Sequence, residues 1–189
     1  METVENIQAD LKKILSEKRY KHSLGVMKKA EELAKIYGED PYIAALTGLA
    51  HDIGKEISNE EKLKYIEENN IRADEIEKHN IGLLHAKIGA DIAKKKYGFT
   101  EDMQKAIQYH TVANPNMNLL AKIIFVADKI EENRSYEKVY ELREISKTNL
   151  DSCMLAILDY TIKENIDKGK LVHPDSVLTR NSLLLNLKF

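Results

Sequence analysis

A histidine and an aspartate stand side by side at the end of an apolar stretch of this chain. His51 and Asp52 lie in the run Leu49–Lys55 and offer one nitrogen donor and one carboxylate donor. Two neighbouring ligands cannot fill a coordination sphere, so we expect partners elsewhere. Further donors beside helical apolar residues are His22, His85, His110 and Asp128. Nitrogen and oxygen ligands without thiolates suit iron, manganese, zinc or magnesium.

Asp128 favours a metal site. It follows the apolar run 125–127, and an acidic side chain buried beside such a run is costly unless it is paired, hydrogen-bonded or bound to a metal. Taken singly, His51-Asp52 is explained equally well by a helix-end cap beside a partly buried histidine, and His22 is explained better by a satisfied core histidine or an N-terminal helix residue. Together, the four side chains favour two imidazoles and two carboxylates around one ion.

Length and charge narrow the class of protein. A chain of 189 residues is most simply one domain over 1–189, large enough to bury a core without metals or disulfides as staples. A formal net charge of -2 with 32% charged residues argues against a nucleic-acid binder that relies on a basic surface. We therefore expect a small molecule, and no nucleic acid, as the partner.

The single cysteine and the hydropathy pattern bear on location. Cys153 cannot form an internal bridge, and it lies in an apolar run, so we interpret it as a core residue. No N-terminal stretch resembles a signal peptide, and no segment is apolar for long enough to cross a bilayer. We expect a cytoplasmic protein without membrane contact.

Apolar residues recur at helical spacing almost throughout, and sustained period-two alternation is absent, which predicts an all-α protein. Boundary signals are Asp40-Pro41, a capping box of Ser58 and Glu61, and Gly98. Eight or nine helices are expected, His22 beginning one of them. The candidate ranges, some fused or broken, are 3–18, 20–37, 41–52, 59–69, 82–97, 101–110, 118–134, 136–146, 150–168 and 176–187.

The ordered set His22, His51-Asp52 and Asp128 resembles the H…HD…D signature of the HD-domain metal-dependent phosphohydrolases, over most of the chain. The flanking residues resemble the YqeK family, which is associated with symmetrical hydrolysis of dinucleoside tetraphosphates. The segments that carry this likeness are Arg19–Ser23, Leu49–Lys55, Leu84–Ala86, Tyr109–Thr111, Ala127–Glu131 and Asn133-Arg134. The resemblance implies a single-domain HD-type helical bundle.

The resemblance also implies a metal centre. Its ligands are then His22, His51, Asp52 and Asp128, and Asp52 is a candidate to orient the attacking water. Iron is the first choice because the resemblance implies it, whereas manganese, magnesium and zinc also accept mixed histidine and aspartate ligation.

Other residues near these motifs are candidates for catalysis. His85 and His110 could ligate a second metal, bind phosphate oxygens or transfer a proton, and the sequence does not separate these roles. Lys55 could neutralise phosphate charge, and Arg134 offers a planar fork for two phosphate oxygens. The candidate catalytic residues are Asp52, Lys55, His85 and His110.

The C-terminal segment is expected to return to the site. His173-Pro174-Asp175 and Arg180-Asn181 resemble the segment that closes over nucleotide in the YqeK family, so we expect residues from about 169 to 189 to pack near the active site. The candidate substrate-binding residues are His22, Lys55, His85, His110, Thr111, Arg134, His173 and Arg180.

The leading hypothesis is metal-dependent hydrolysis of diadenosine tetraphosphate to two ADP. One alternative is an HD-domain nucleotidase acting on nucleoside mono- or triphosphates. Another is a nucleotide-sensing module without useful turnover. The oligomeric state stays open, with a homodimer as one option, because no heptad seam or isolated apolar stripe marks an interface.

Overall fold

Helices form the whole framework of residues 3–187, the part of the chain that the computed structural model describes. The α-helices are α1 (Val4–Ile14), α2 (Glu17–Tyr37), α3 (Pro41–Ala50), α4 (Asn59–Glu68), α5 (Glu75–His79), α6 (His85–Tyr97), α7 (Glu101–Tyr109), α8 (Leu119–Ile130), α9 (Val139–Ser146), α10 (Leu150–Asp167) and α11 (Pro174–Asn186). A 3-10 helix, Ile81–Leu84, precedes α6. No strand occurs within 3–187, so the all-α prediction is confirmed.

The boundary signals in the sequence act as expected. The Asp40 side chain accepts hydrogen bonds from the first turn of α3, and Pro41 occupies its first position. Ser58 and Glu61 form a capping box at the start of α4. Gly98 ends α6 with φ +66°, a left-handed conformation that favours glycine.

Two helix ends near the site differ from the prediction by four positions. The expected helix over 3–18 stops at Ile14, because Ser16 caps a new helix, α2. The hydroxyl and the backbone amide of Ser16 also donate hydrogen bonds to Glu56. His22 therefore lies in the second turn of α2 instead of beginning a helix. The expected helix over 118–134 ends at Ile130, because Glu131 is extended at ψ 161°.

The core forms where α2, α3 and α8 pack together. After its first turn, α3 is buried at every position from Ala44 to Ala50, since these residues are small or apolar on every face. Gly48 lets it approach α2, where a Cβ would lie 3.1 Å from the Val26 carbonyl oxygen. This close packing places the end of α3 in the interior of the molecule.

The last helix, α11, packs against α10 and against the link that follows α7. Ser176 Oγ donates to the Val112 carbonyl, and Asn114 Nδ2 donates to Asp175 at 3.1 Å. Cys153 is fully buried in α10, as expected for a core residue. Among the described residues, no helix combines the length and apolarity required to cross a membrane.

Candidate metal centre

Three helices bring the four predicted metal ligands to one buried point. α3 ends at Ala50, and His51 and Asp52 follow directly, with 0% and 2% of their surfaces exposed. His22 comes from α2 and Asp128 from the last turn of α8, and both are also buried. Helix ends and packing thus position side chains that are 106 positions apart in the chain, from 22 to 128.

The donor atoms of these side chains lie at separations suited to a shared ion. His22 Nε2 is 3.0 Å from Asp128 Oδ1 and 3.8 Å from Asp52 Oδ2. His51 Nε2 is 3.4 Å from Asp52 Oδ2 and 3.8 Å from Asp128 Oδ1. Atoms bound about 2.1 Å from one ion lie about 3.0 to 3.4 Å apart at octahedral to tetrahedral angles. The four atoms therefore enclose a space close to the size of a small divalent cation.

His85 and His110 face the other oxygen of Asp52. Their Nε2 atoms lie 3.2 Å and 3.5 Å from Asp52 Oδ1, and 3.2 Å from each other. Asp52 thus turns Oδ2 toward His22 and His51, and Oδ1 toward His85 and His110. A carboxylate between two such donor sets has the geometry to bridge two ions.

The Nδ1 atoms of the four histidines are all committed to oxygen acceptors. His51, His85 and His110 each donate from Nδ1 to the carbonyl three residues earlier, at 2.6 to 2.7 Å. His22 Nδ1 donates to Glu131 Oε1 at 3.0 Å. Such contacts fix the tautomer and leave each Nε2 free as a donor to a metal.

Several ligand atoms lack other partners. Within residues 3–187, His22 Nε2, His51 Nε2 and Asp52 Oδ1 are buried without a hydrogen bond. A buried polar atom left unsatisfied costs about 1 to 3 kcal/mol, and native proteins seldom tolerate several together. A cation between His22 and His51 would satisfy both Nε2 atoms, and one beside His85 and His110 would satisfy Asp52 Oδ1, so the residues present fit divalent metal.

Both aspartates are held in the ionised form that a metal requires. Burial opposes the ionisation of Asp52, but the neighbouring His51 and His110 outweigh burial and hold the pKa of Asp52 well below its usual range. Burial likewise opposes ionisation of Asp128, and Lys129 and the histidines outweigh it, so the pKa of Asp128 is also well below its usual range. The centre therefore carries two carboxylate charges near neutral pH.

His85 and His110 differ from His22 in protonation. Burial lowers the pKa of His85, and it lowers the pKa of His110 to about 4, so both imidazoles are neutral at pH 7. Burial also acts on His22, but the carboxylates of Asp128 and Glu131 outweigh it and raise the pKa of His22. A proton on His22 offsets their charge, and a metal must displace this proton to bind.

Cations line the accessible side of the cluster. Arg19 Nη1 lies 2.7 Å from Asp52 Oδ2. Lys129 Nζ and Arg134 Nη2 each lie 2.6 Å from an oxygen of Asp128. The side chains of Arg19, Lys129 and Arg134 remain 29%, 22% and 35% exposed, so they can also meet an anionic ligand.

Lys55 and Thr111, which the sequence predicts to contact substrate, lie beside His85 and His110, the second donor set. Lys55 Nζ lies 3.2 Å from His85 Nε2, and burial lowers the pKa of Lys55. Thr111 Oγ1 lies 3.2 Å from His110 Nε2. Both side chains therefore border the same cluster as the predicted ligands.

The two C-terminal candidates for substrate binding, His173 and Arg180, contact residues outside the cluster. His173 caps α11, and its Nε2 lies 2.8 Å from Asp74 Oδ2. Arg180 pairs with Asp159 of α10. No contact joins either residue to the six histidines and aspartates of the cluster in the described structure, so their substrate roles stay predictions.

Three residues at the site had no role in the sequence prediction: Arg19, Lys129 and Glu131. Each lies in a segment that carried the family resemblance. Arg19 precedes His22 by three residues on α2, and Glu131 follows Asp128 by three. This spacing puts side chains on one face of a helix and could have identified Arg19. Glu131 lies just past the end of α8, so helical spacing does not predict which side of the helix its side chain faces.

The all-helical fold and the buried cluster of histidines and aspartates are the features of one class of helical proteins with a candidate metal site. The family model described as "HD domain" matches residues 19–133, and the chain belongs to the HD domain family. That range contains all six histidine and aspartate side chains of the cluster.

Relatives with assigned names match nearly the whole chain. A symmetrical bis(5'-nucleosyl)-tetraphosphatase of Halalkalibacterium halodurans is 39% identical, covering 92% of this chain and 93% of that protein. One of Bacillus subtilis is 37% identical over 95% of this chain and 97% of that protein. A crystal structure from Clostridium acetobutylicum, described as a predicted HD superfamily hydrolase involved in NAD metabolism, is 40% identical with a TM-score of 0.95, covering 99% of this chain and 100% of that chain.

Proposed function

We propose that this protein hydrolyses bis(5'-nucleosyl) tetraphosphates symmetrically, converting diadenosine tetraphosphate and water to two ADP with a divalent metal. The observation that carries the proposal is the buried set of histidine and aspartate donors with unsatisfied Nε2 and carboxylate atoms. Near full-length relatives named for this activity support the choice of substrate.

The chain's own residues have distinct tasks in this reaction. His22, His51, Asp52 and Asp128 would hold one ion, and His85 and His110, with Asp52 between the sets, a second. When bound, the metal polarises a phosphoryl oxygen and lowers the pKa of water, which supplies a nucleophile near neutral pH. We propose iron as the native metal, with manganese, magnesium or zinc as substitutes.

The cations act on the substrate's charge. On the accessible side of the cluster, Arg19 pairs with Asp52, and Lys129 and Arg134 pair with Asp128. Lys55 lies beside His85 in the second donor set. As water attacks an inner phosphorus and the central anhydride bond breaks, negative charge moves to the departing ADP. Positive groups already in position stabilise that charge without reorganisation.

Product analysis by ion-exchange chromatography tests the proposal. Diadenosine tetraphosphate incubated with protein and ferrous or manganous ion should give ADP alone, and a chelator should stop the reaction. Asp52→Asn should lose turnover, whereas the matched control Asp102→Asn, at an exposed position on α7, should retain it. AMP plus ATP would overturn symmetrical cleavage. Absence of turnover, with hydrolysis of nucleoside mono- or triphosphates, would favour the nucleotidase alternative.

Cytoplasmic location and a homodimer remain predictions from the sequence. Both are accessible to measurement, by cell fractionation and by light scattering of the purified protein.

A further inference from the structure

A cavity of about 270 Å³ opens next to the metal centre, between α10 and the link from α8 to α9. Lys129 and Arg134 form its wall on the side of the cluster, and both also contact Asp128. A phosphate group held by these two cations would therefore place the next part of the same ligand in this cavity.

The rest of the cavity is lined by two tyrosines, Ile157, Thr161 and Glu164, and the Glu164 carboxylate pairs with Lys168 at 2.8 Å. Tyr136 and Tyr160 stack with ring centroids 5.4 Å apart and an interplanar angle of 24°. Ile157, only 2% exposed, lies beside them. A tyrosine face and an aliphatic side chain suit a flat, uncharged ring system, which stacks on aromatic residues without needing a particular base.

A hydrogen bond joins the aromatic side of the cavity, at Tyr136, to its cationic side, at Lys129. The Tyr136 hydroxyl donates to the Lys129 carbonyl at 2.9 Å, so the ring and the end of α8 keep a set position relative to each other. Thr161 adds a polar group to the cavity lining. Its hydroxyl donates to the Ile157 carbonyl, and the hydroxyl oxygen can still accept a hydrogen bond from a ligand.

We propose that this cavity binds one nucleoside of the substrate, its base on Tyr160 and its first phosphates on Lys129 and Arg134. The inference rests on the proposed function for the identity of the ligand and deepens it. Pockets that enclose a drug-sized ligand measure about 300 to 1,000 Å³. The cavity is smaller, so it accommodates one nucleoside of a dinucleotide and not the whole molecule.

The absence of tryptophan from the chain permits a direct test. Tyr160→Trp keeps an aromatic wall and introduces a single tryptophan. ADP in magnesium buffer should quench its fluorescence by stacking, whereas pyrophosphate, which lacks a nucleoside, should not. The matched control Tyr42→Trp, at a position 47% exposed at the start of α3, should respond to neither.

Calorimetry of ADP binding gives a second measurement that does not depend on turnover. Loss of one stacked base corresponds to about five- to 100-fold weaker binding. Tyr160→Ala should weaken ADP by this factor and leave pyrophosphate unchanged, and Tyr160→Phe should restore wild-type affinity. Unaltered ADP affinity in Tyr160→Ala, or wild-type protein that binds ADP no tighter than pyrophosphate, would overturn the proposal.

The two proposals fail separately. Hydrolysis of diadenosine tetraphosphate with no quenching of Tyr160→Trp by ADP would retain the activity and reject the nucleoside cavity. Quenching by ADP without hydrolysis would retain the cavity and reject the activity.

Discussion

At the scale of single residues, the contact between Glu131 and His22 decides how one ligand is presented. Glu131 is 1% exposed and is held in turn by the amide and side chain of Asn133. Its neighbour Gly25 leaves room for it, because a Cβ there would collide with Glu131 Oε2. The carboxylate therefore orients His22 with little freedom to move.

We expect Glu131→Ala to weaken metal binding about ten- to 100-fold, the usual effect of removing an outer partner of a ligating histidine. Competition with a chromophoric chelator measures this without turnover. Glu131→Gln keeps an oxygen acceptor for His22 and should lose less. The control is Glu132→Ala, whose side chain is 63% exposed. Wild-type metal affinity in Glu131→Ala would contradict the role.

Arg134 is expected to act mainly on the substrate. Its guanidinium is partly exposed beside Asp128, and a charged hydrogen bond is worth about 1.5 to 3 kcal/mol, or about ten- to 100-fold. Arg134→Ala should raise KM by this factor with a smaller change in kcat. Steady-state kinetics on diadenosine tetraphosphate measures the split, and an unchanged KM would refute the assignment.

The effect of Arg180→Ala on KM can be compared with that of Arg134→Ala. Its side chain pairs with Asp159, away from the cluster, so these contacts predict a small effect of Arg180→Ala on KM. A rise equal to that of Arg134→Ala would instead support the substrate role that the family resemblance implies for Arg180.

Residues of unusual chemistry were predictable from the sequence, whereas common charged residues were not. A histidine next to an aspartate after an apolar helix already indicates a metal, and the structure places His51 and Asp52 in one buried cluster with the other proposed ligands. Arginine and glutamate are mostly solvated on protein surfaces, so Arg19 and Glu131 gave no comparable signal. Their roles follow from contacts across helices, which spacing alone does not encode.

At the scale of helices, the turn after α3 depends on a close approach to α6. A Cβ added at Gly54 would lie 2.7 Å from the His85 carbonyl oxygen and 3.2 Å from the Gly89 amide nitrogen. These are backbone atoms and cannot rotate away. Gly54 therefore sets the distance between the turn that carries Asp52 and the helix that carries His85.

Gly54→Ala should lower the free energy of unfolding by about 1 to 3 kcal/mol, the range for overpacking. It should also weaken metal binding, because the two donor sets move apart. Urea denaturation and chelator competition give the two values. Gly82→Ala is the control, since its Cβ would meet only the flexible side chain of Asn80. Equal stability of the two variants would contradict the prediction.

Helix types were easier to predict than helix breaks. The cap signals at Asp40, Ser58 and Gly98 are local and were correct. The break before α2 was missed because apolar periodicity continues through Leu15, while Ser16 gains its extra partner from Glu56, forty positions along the chain.

At the scale of the whole molecule, stability depends on pH through the buried imidazoles. A histidine in the unfolded chain has a pKa near 6.5, and the pKa of His110 in the folded chain is about 4. Between these values the unfolded chain binds more protons, so the metal-free protein loses stability as pH falls. For His110 the full loss is on the order of 3 kcal/mol. His22 acts oppositely, since its raised pKa adds stability below pH 6.5.

Urea denaturation of the metal-free protein from pH 7 to pH 4 measures this dependence. The decline should be shallower in His110→Gln than in the wild type, because the variant has no imidazole to protonate at that position. Parallel declines would show that His110 is not held neutral by burial.

The buried position of Cys153 determines how the protein can be handled. The thiol is fully covered within α10, and burial raises its pKa to about 12. Since the thiolate is the reactive form, thiol-alkylating reagents and disulfide-forming oxidants should leave Cys153 of the native chain unmodified. Ferrous ion can then be loaded without dithiothreitol, a thiol that would compete for it, and a cysteine engineered on the surface would be the single labelling point for spectroscopy.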